Sequence, residues 1–370
     1  MKMAFCTYQE SIGSYETLES PRCKGCGGEC TLETKYVFFT GQTLYQAGCE
    51  KCGFFTDWTS EKETAIEQLK NGEACRREVN LLLFPSDYFD SSIVDADMQK
   101  EYAAAMETGL FDVILFDYDA WFNNGRLRLN KSLDIMRRAI YRGWMMKPEQ
   151  YESFYKALLQ SNIRLVTKPE EYNALHLFPN VYEKLGEHTA RIMTFPLHEK
   201  IDVELLKKSF KRFMVKDYVK SVKGTEFPVY FDETITQEEF DRWMEVFYKY
   251  RGELLTGGVC IKEYLDLKRY DGRTNEYRVF YANGHRIGCE RNSGQMATAP
   301  ELPLLFEWPS VCQLDYPHLG SPFYTVDFAE LADGSWKVIE TGDGGVSGLS
   351  EGQDAGAFYR SLYWAFHGDS

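Results

Sequence analysis

Two groups of residues in this 370-residue chain have types and spacings suited to chemistry. The first is a pair of Cys-x-x-Cys motifs, Cys23/Cys26 and Cys49/Cys52. Zinc-ribbon spacing of this kind asks for two tight turns, each offering two thiolates to one tetrahedral ion, and Gly25, Gly27 and Gly53 supply the backbone freedom for them. A redox pair or disulfides would use the same side chains, but the doubled motif favours Zn²⁺. Cys6 and Cys30 are further thiols that could replace one ligand. So small a unit has little core of its own, so the metal would be structural and supply its folding energy.

The second group is acidic. In SPFYTVDFAELADGSWKVIETGDGG, Asp333-Gly334 is a turn signal between two alternating strands. A two- or four-residue loop centred there pairs Asp327 with Glu340, Phe328 with Ile339 and Glu330 with Lys337. Two carboxylates ~5 Å apart across a ladder repel unless a cation neutralises them. Magnesium suits such a place, since it takes few carboxylates and completes its shell with substrate phosphates and water. The glycine-rich loop that follows resembles a phosphate cradle, and it brings in a further acid, Asp343.

Other residues join these only through the elements that carry them. RFMVKDYVKSVK (212–223) reads as a strand presenting Lys216, Lys220 and Lys223, which on pattern alone is a solvated lysine edge. GVCIKEYLDL (258–267) reads as a strand in which Val259, Ile261, Glu263 and Leu265 share a face, so Glu263 needs a partner. Glu276 and Arg278 point the same way on a strand before the Asn283-Gly284 hairpin turn, where they could pair with each other or with Arg291. Arg142, in Tyr-Arg-Gly-Trp, could bind an anionic substrate or stack on an aromatic. His176 and His285 read as structural.

Between the cysteine-rich head and these acids, VNLLLF, FDVILFD and Ile163 to Thr167 alternate with helical stretches, as in a small α/β domain with a parallel sheet. Its strand ends offer Ser86, Asp87, Asp117, Asp119 and Thr167. The domains are expected at 1–77 (head and helical connector), 78–185 and 186–370. The net charge of −14 excludes a general nucleic-acid or anionic-membrane surface. No apolar run approaches the ~20 residues that span a bilayer, and the start of the chain does not read as a signal peptide, so a cytoplasmic protein is expected.

Taken in order, VKDYVKS, CIKEYLDL, EYRVF, TVDFAE and VIETGDGG resemble the ATP-grasp superfamily of carboxylate-amine ligases. The RGW stretch, TKPEEY and the glycine-rich ending resemble a phage and bacterial branch of it, over about residues 79 to 368. The resemblance implies two α+β subdomains gripping ATP, preceded by a Rossmann-like pre-ATP-grasp domain; the zinc ribbon read from the cysteine spacing lies in front of it, outside the resemblance. It implies that Lys216 binds α- and β-phosphate oxygens and that Lys220 belongs to the phosphate-covering loop. Glu263 would accept hydrogen bonds from ribose or adenine, with the backbone of Tyr264 and Leu265 facing adenine. Arg278 would steady the γ-phosphate, and Asp327 and Glu340 would bridge Mg²⁺. The family's third metal ligand, an Asn, falls at Gly342 here, leaving Asp343 as the candidate.

The implied activity is an ATP-dependent ligase that joins a carboxylate to an amine through an acyl-phosphate. Small-molecule or peptide substrates are expected, and the ribbon offers a place for a protein partner. The alternatives are a nucleotide-binding sensor or adaptor without catalysis, and phosphoryl transfer to a small substrate.

Overall fold

The computed structural model describes residues 11–24, 26–37, 41–51, 53–76, 78–292, 316 and 318–367. The head is broader than short strands flanking two metal turns. Strands β1 (Ser11–Leu18), β2 (Cys30–Val37), β3 (Gln42–Cys49), β4 (Phe54–Phe55) and β5 (Cys75–Arg76) form one antiparallel sheet in sequential order, with α1 (Lys62–Asn71) between β4 and β5. Cys23, Cys30, Leu32, Ala47, Cys49, Ala65 and Leu69 are buried together. Asp57 joins the head to the next unit, 3.2 Å from Lys168 and 3.8 Å from Arg164, and these cations hold its carboxyl low against its burial.

Runs of Val, Leu, Ile and Phe then form a sheet buried on both faces, as their unbroken apolar character requires. Its strands are β6 (Leu81–Pro85), β7 (Asp112–Phe116), β8 (Arg137–Tyr141) and β9 (Ile163–Leu165), all parallel in the order β7-β6-β8-β9. Helices α2 (Gln99–Glu107), α3 (Tyr118–Asn124) and α4 (Pro148–Gln160) alternate with them. Two Pro-started helices, α5 (Pro169–His176) and α6 (Phe178–Leu185), lead out of this unit.

The remainder builds two antiparallel sheets that face a common cleft. The first has the order β10-β13-β11-β12, from β10 (Ile192–Phe195), β11 (Arg212–Asp217), β12 (Phe231–Asp232) and β13 (Val259–Glu263). It packs on α7 (Val203–Ser209) and α8 (Gln237–Arg251), whose Phe240, Met244 and Phe247 are core as their one-face spacing requires. The Thr236/Glu239 capping box starts α8. Strand β11 stops at Asp217, earlier than its sequence pattern suggests, because the Asp217 carboxylate accepts the N–H groups of Val219 (2.7 Å) and Lys220 (2.6 Å) and turns the chain.

A short ladder, β14 (Arg269–Tyr270) with β15 (Arg273–Thr274), precedes the second sheet. That sheet has the order β17-β16-β18-β19, from β16 (Glu276–Ala282), β17 (His285–Arg291), β18 (Phe323–Glu330) and β19 (Trp336–Asp343). Asn283 and Gly284 both have positive φ (46° and 79°), as a primed two-residue turn demands. The last helix, α9 (Ala355–His367), lays Phe358, Tyr359 and Leu362 into a core shared by the parallel sheet and by Phe280 and Phe323.

The β18–β19 register reaches its expected pairing by an unexpected route. Leu331 N–H donates to Ser335 O (2.8 Å), which leaves a three-residue loop, and Glu330 lies opposite Trp336 and Phe328 opposite Val338. The expected Phe328–Ile339 and Glu330–Lys337 pairs therefore do not form. A bulge between Asp327 and Phe328 then shifts the ladder back by one, so that Asp327 faces Glu340.

Candidate active site

The cleft is lined by Lys220, Arg278, Asp327 and Glu340 with Met145, His176, Phe178, Thr325, Thr341, Gly342 and Ser347. Arg278 and Asp327 are opposed on β16 and β18, and their side chains form a two-pronged pair, Nε–Oδ1 2.9 Å and Nη2–Oδ2 2.7 Å. Asn292 donates a third hydrogen bond to Asp327 Oδ2 at 3.0 Å. Burial raises the Asp327 carboxyl, and Arg278 opposes that rise. Neither Glu276 nor Arg291 takes Arg278, since Glu276 accepts from Thr274 (2.6 Å) and Arg291 donates to Tyr277 Oη (3.1 Å).

Glu340 answers to the other sheet. Lys216 Nζ lies 3.6 Å from its Oε1. Burial disfavours the charge, but Lys216, Lys220, Lys262 and Arg278 together hold the Glu340 carboxyl at about 2. Lys216 is no solvated edge lysine, being only 6% exposed. Lys220 is aimed by the turn built on Asp217, which is fully buried and bonded to Arg251 at 2.7 and 2.9 Å.

Lys262 completes the cationic wall, and sequence reasoning missed it. It shares the face of β13 with Cys260, the residue opposite Lys216, so both lysines point to the cleft side. The Lys262 Nζ donates to Ile339 O at 2.5 Å, a carbonyl at the β19 bulge, and lies 4.0 Å from the Phe178 ring centroid. Burial and the Lys216 ammonium push Lys262 down to about 7. A lysine that directly follows the apolar run Val259-Cys260-Ile261 inside a strand is the sequence signal that could have flagged it.

Two expected site residues lie elsewhere. Asp343 is three residues beyond Glu340 on a regular ladder, so its side chain points to the opposite sheet face and cannot share a cation with Asp327 and Glu340. It is 1% exposed, accepts Gly345 N–H at 2.8 Å, and burial pushes it up to about 7. At Gly342, where the third ligand was sought, a Cβ would lie 3.0 Å from Ser347 Oγ and 3.2 Å from Thr325 Oγ1, two hydroxyls bonded to each other at 2.9 Å. Arg142 is also closed to a substrate: 2% exposed, it grips Glu101 (2.6–2.9 Å) and donates to the carbonyls of Gly344 and Ser347.

The glycine loop is shaped by these neighbours. A Cβ at Gly344 would strike the Phe323 ring at 2.6 Å, and one at Gly345 would lie 2.8 Å from Tyr141 O. Close packing thus requires both glycines, without any phosphate.

Glu263, Tyr264 and Leu265 follow one another at the end of β13, outside the residues that line the cleft. Glu263 finds its partner in Arg191, which the sequence did not indicate, with Nη2–Oε1 2.7 Å and Nε–Oε2 3.1 Å, and this hydrogen bonding lowers its carboxyl. Arg212 lies over the rings of Tyr230 and Tyr264, at 3.7 and 4.3 Å.

In the head, the sulfurs of Cys23, Cys26 and Cys49 lie within 4.8 Å of one another, with Cys26–Cys49 at 3.6 Å. Tetrahedral zinc with ~2.3 Å Zn–S bonds needs ligand sulfurs ~3.8 Å apart, so these three fit such an ion. Cys52 and Cys6 lie outside the described residues, and Cys30 is buried nearby.

Two sheets closing on a cleft of facing lysines and carboxylates, behind an α/β unit, define an ATP-grasp fold. Residues 206–362 match the family described as ATP-grasp domain, R2K clade family 3. Solved structures share the fold. The D-cycloserine synthetase DcsG matches over 77% of this chain and 99% of its own, at 15% identity and a TM-score of 0.50. The D-alanine-D-alanine ligase from Coxiella burnetii covers 79% and 94%, at 11% identity and 0.50. A RimK domain ATP-grasp protein from Sphaerobacter thermophilus covers 78% and 99%, at 12% identity and 0.50. No curated protein matches the chain. Among the described residues, no helix is long and apolar enough to cross a membrane.

Proposed function

We propose that this protein is an ATP-dependent carboxylate-amine ligase. The observation that carries the reading is the convergence on one cleft of Lys216, Lys220, Lys262 and Arg278 with Asp327 and Glu340. Four basic side chains around two carboxylates suit a polyphosphate better than a neutral ligand. Asp327 and Glu340 would hold Mg²⁺, which would supply charge neutralisation at the transferred phosphoryl group.

Lys216 and Lys220 orient the phosphate chain, and Arg278 faces the oxygens on which charge develops as a substrate carboxylate oxygen attacks the γ-phosphorus and ADP departs. An amine then attacks the acyl carbon, phosphate leaves, and the amine's proton passes to solvent. Glu263, with the backbone of Tyr264 and Leu265, would meet the adenosine beyond the residues that line the cleft, Glu263 exchanging its bonds to Arg191 for the nucleotide. Most of the acceleration comes from positioning and electrostatics, as in other phosphoryl transfers. The substrates we infer are small or peptidic, in line with an interior, side-chain-lined cleft. The head would hold a structural Zn²⁺ on Cys23, Cys26 and Cys49, with the second Cys-x-x-Cys motif offering Cys52 in sequence as a fourth ligand, and we infer that it docks a protein partner.

Incubation with Mg-ATP and pooled amino acids and peptides, followed by mass spectrometry, tests the activity. A new amide formed in step with ADP supports the ligase. A phosphorylated product without an amide would assign phosphoryl transfer, and nucleotide binding without any turnover would assign a sensor.

A further inference from the structure

His176 reads as structural in the sequence, and its surroundings say otherwise. The residue closes α5, only 7% exposed, yet its imidazole makes no hydrogen bond to any described residue and lines the cleft. Buried polar groups ordinarily find partners, so an imidazole left open toward a cleft calls for a ligand. Its position is fixed. Its ring stacks on Tyr172 at 4.7 Å, Tyr172 stacks on Tyr151 at 4.0 Å, and Tyr172 Oη donates to Met146 O at 2.7 Å. Thr341 Oγ1 donates to the carbonyl of Leu175 at 3.1 Å, which pins the end of α5 to the residue next to Glu340.

The ligand's chemistry follows from what surrounds the ring. The charged groups acting on it are Lys220, Glu340 and Lys216, whereas Glu263, Tyr264 and Leu265 at the far end of β13 do not line the same space. His176 therefore sits at the end of the cleft where the carboxylates and Arg278 gather. An imidazole there offers an N–H to an anionic oxygen in either protonation state.

We propose that His176 donates a hydrogen bond to the terminal phosphoryl group of the nucleotide, and so separates the triphosphate from the diphosphate. This rests on the ATP-binding reading above. A neutral N–H beside two ammonium groups adds direction to their charge without adding repulsion between cations.

The test compares Mg-ADP with the magnesium complex of the non-hydrolysable triphosphate AMPPNP by calorimetry. His176→Phe keeps the stack on Tyr172 and removes the N–H. It is expected to weaken the triphosphate analogue about tenfold or more, as loss of a hydrogen bond to a charged group does, and to leave Mg-ADP within about twofold. His176→Gln, which retains a donor, should recover part of the loss. In the unaltered protein, the ring resonances of His176 should shift with Mg-AMPPNP and stay in place with Mg-ADP, a readout that does not depend on the variants folding. Equal affinities in wild type and His176→Phe, or equal losses for both nucleotides, would overturn the assignment. Absence of Mg-ADP binding to the wild type would instead bring down the ATP-binding reading itself, and this inference with it.

Discussion

Asp327 and Glu340 face each other across the β18–β19 ladder, yet each is neutralised from a different side: Asp327 by Arg278 of its own sheet at 2.7 Å, Glu340 by Lys216 of the opposite sheet at 3.6 Å. The second pair spans the cleft. Together with the Lys262–Ile339 hydrogen bond at 2.5 Å, it ties the two sheets across the space a nucleotide would enter. Binding must therefore exchange protein carboxylates for phosphate oxygens as partners of the lysines, and the cation brought by the nucleotide must take over the carboxylates.

Lys262 gives this exchange a proton signature. Its amine titrates at about 7 in the free protein, so above that pH it is largely neutral. A polyphosphate placed beside it raises that value, so binding at about pH 8 takes up close to one proton, and the uptake fades below about pH 6 where the amine is already charged. Calorimetry of Mg-ADP binding in buffers of different ionisation enthalpy measures this. Lys262→Met should abolish the buffer dependence; the same dependence in the variant would assign the proton to another group.

Asp343 predicts a pH-dependent stability. Its carboxyl titrates at about 7 in the fold, against ~3.9 in an unfolded chain. Between these values the folded state binds more protons, so stability is fully present below the unfolded value and is lost as pH rises through about 7. Asp343→Asn removes the titration. Thermal melts should show the variant gaining on wild type between about pH 5 and pH 8, by on the order of a few kcal/mol. A gap that stays constant over that range would contradict it.

Much of this arrangement is legible in the sequence, and the exceptions have physical causes. The facing of Asp327 and Glu340 follows from strand alternation, but only because a three-residue loop and a bulge displace the register in opposite senses. Composition does not announce a bulge. The parallel sheet and the α8 face are visible because burial on both sides, or along one stripe, leaves a pattern. The roles of Asp217 and Lys262 are not readable this way, since their partners, Arg251 and the Ile339 carbonyl, are distant in sequence, and the apolar run before Lys262 marks only that it is buried. Arg142 misleads for the same reason: beside Gly143 and Trp144 it resembles an anion site, while Glu101, 41 residues earlier, holds it in the core.

That buried pair supports the wall of the cleft, because Arg142 also donates to the carbonyls of Gly344 and Ser347. Arg142→Met orphans Glu101 and should cost about 3–5 kcal/mol, seen as a lowered midpoint in urea. The double replacement Arg142→Met with Glu101→Met should be less damaging than the single one, since the stranded charge is gone. Additive losses in the two single variants would show that the residues act separately.

For the head, about one zinc per freshly purified chain is expected, with chelation destabilising residues 11–76 before the rest. Cys23→Ser or Cys49→Ser should lose the metal. Zinc below about half an equivalent would rule out the assignment.

The central claim is that the carboxylates and lysines of this cleft hold a magnesium nucleotide. Calorimetric titration of AMPPNP with and without Mg²⁺, into wild type, Glu340→Gln and Lys216→Ala, tests it most directly. Wild type should bind about tenfold or more tightly with Mg²⁺, Glu340→Gln should lose that dependence, and Lys216→Ala should weaken binding in both conditions. Binding in all three proteins that is equally tight, with and without Mg²⁺, would contradict the account.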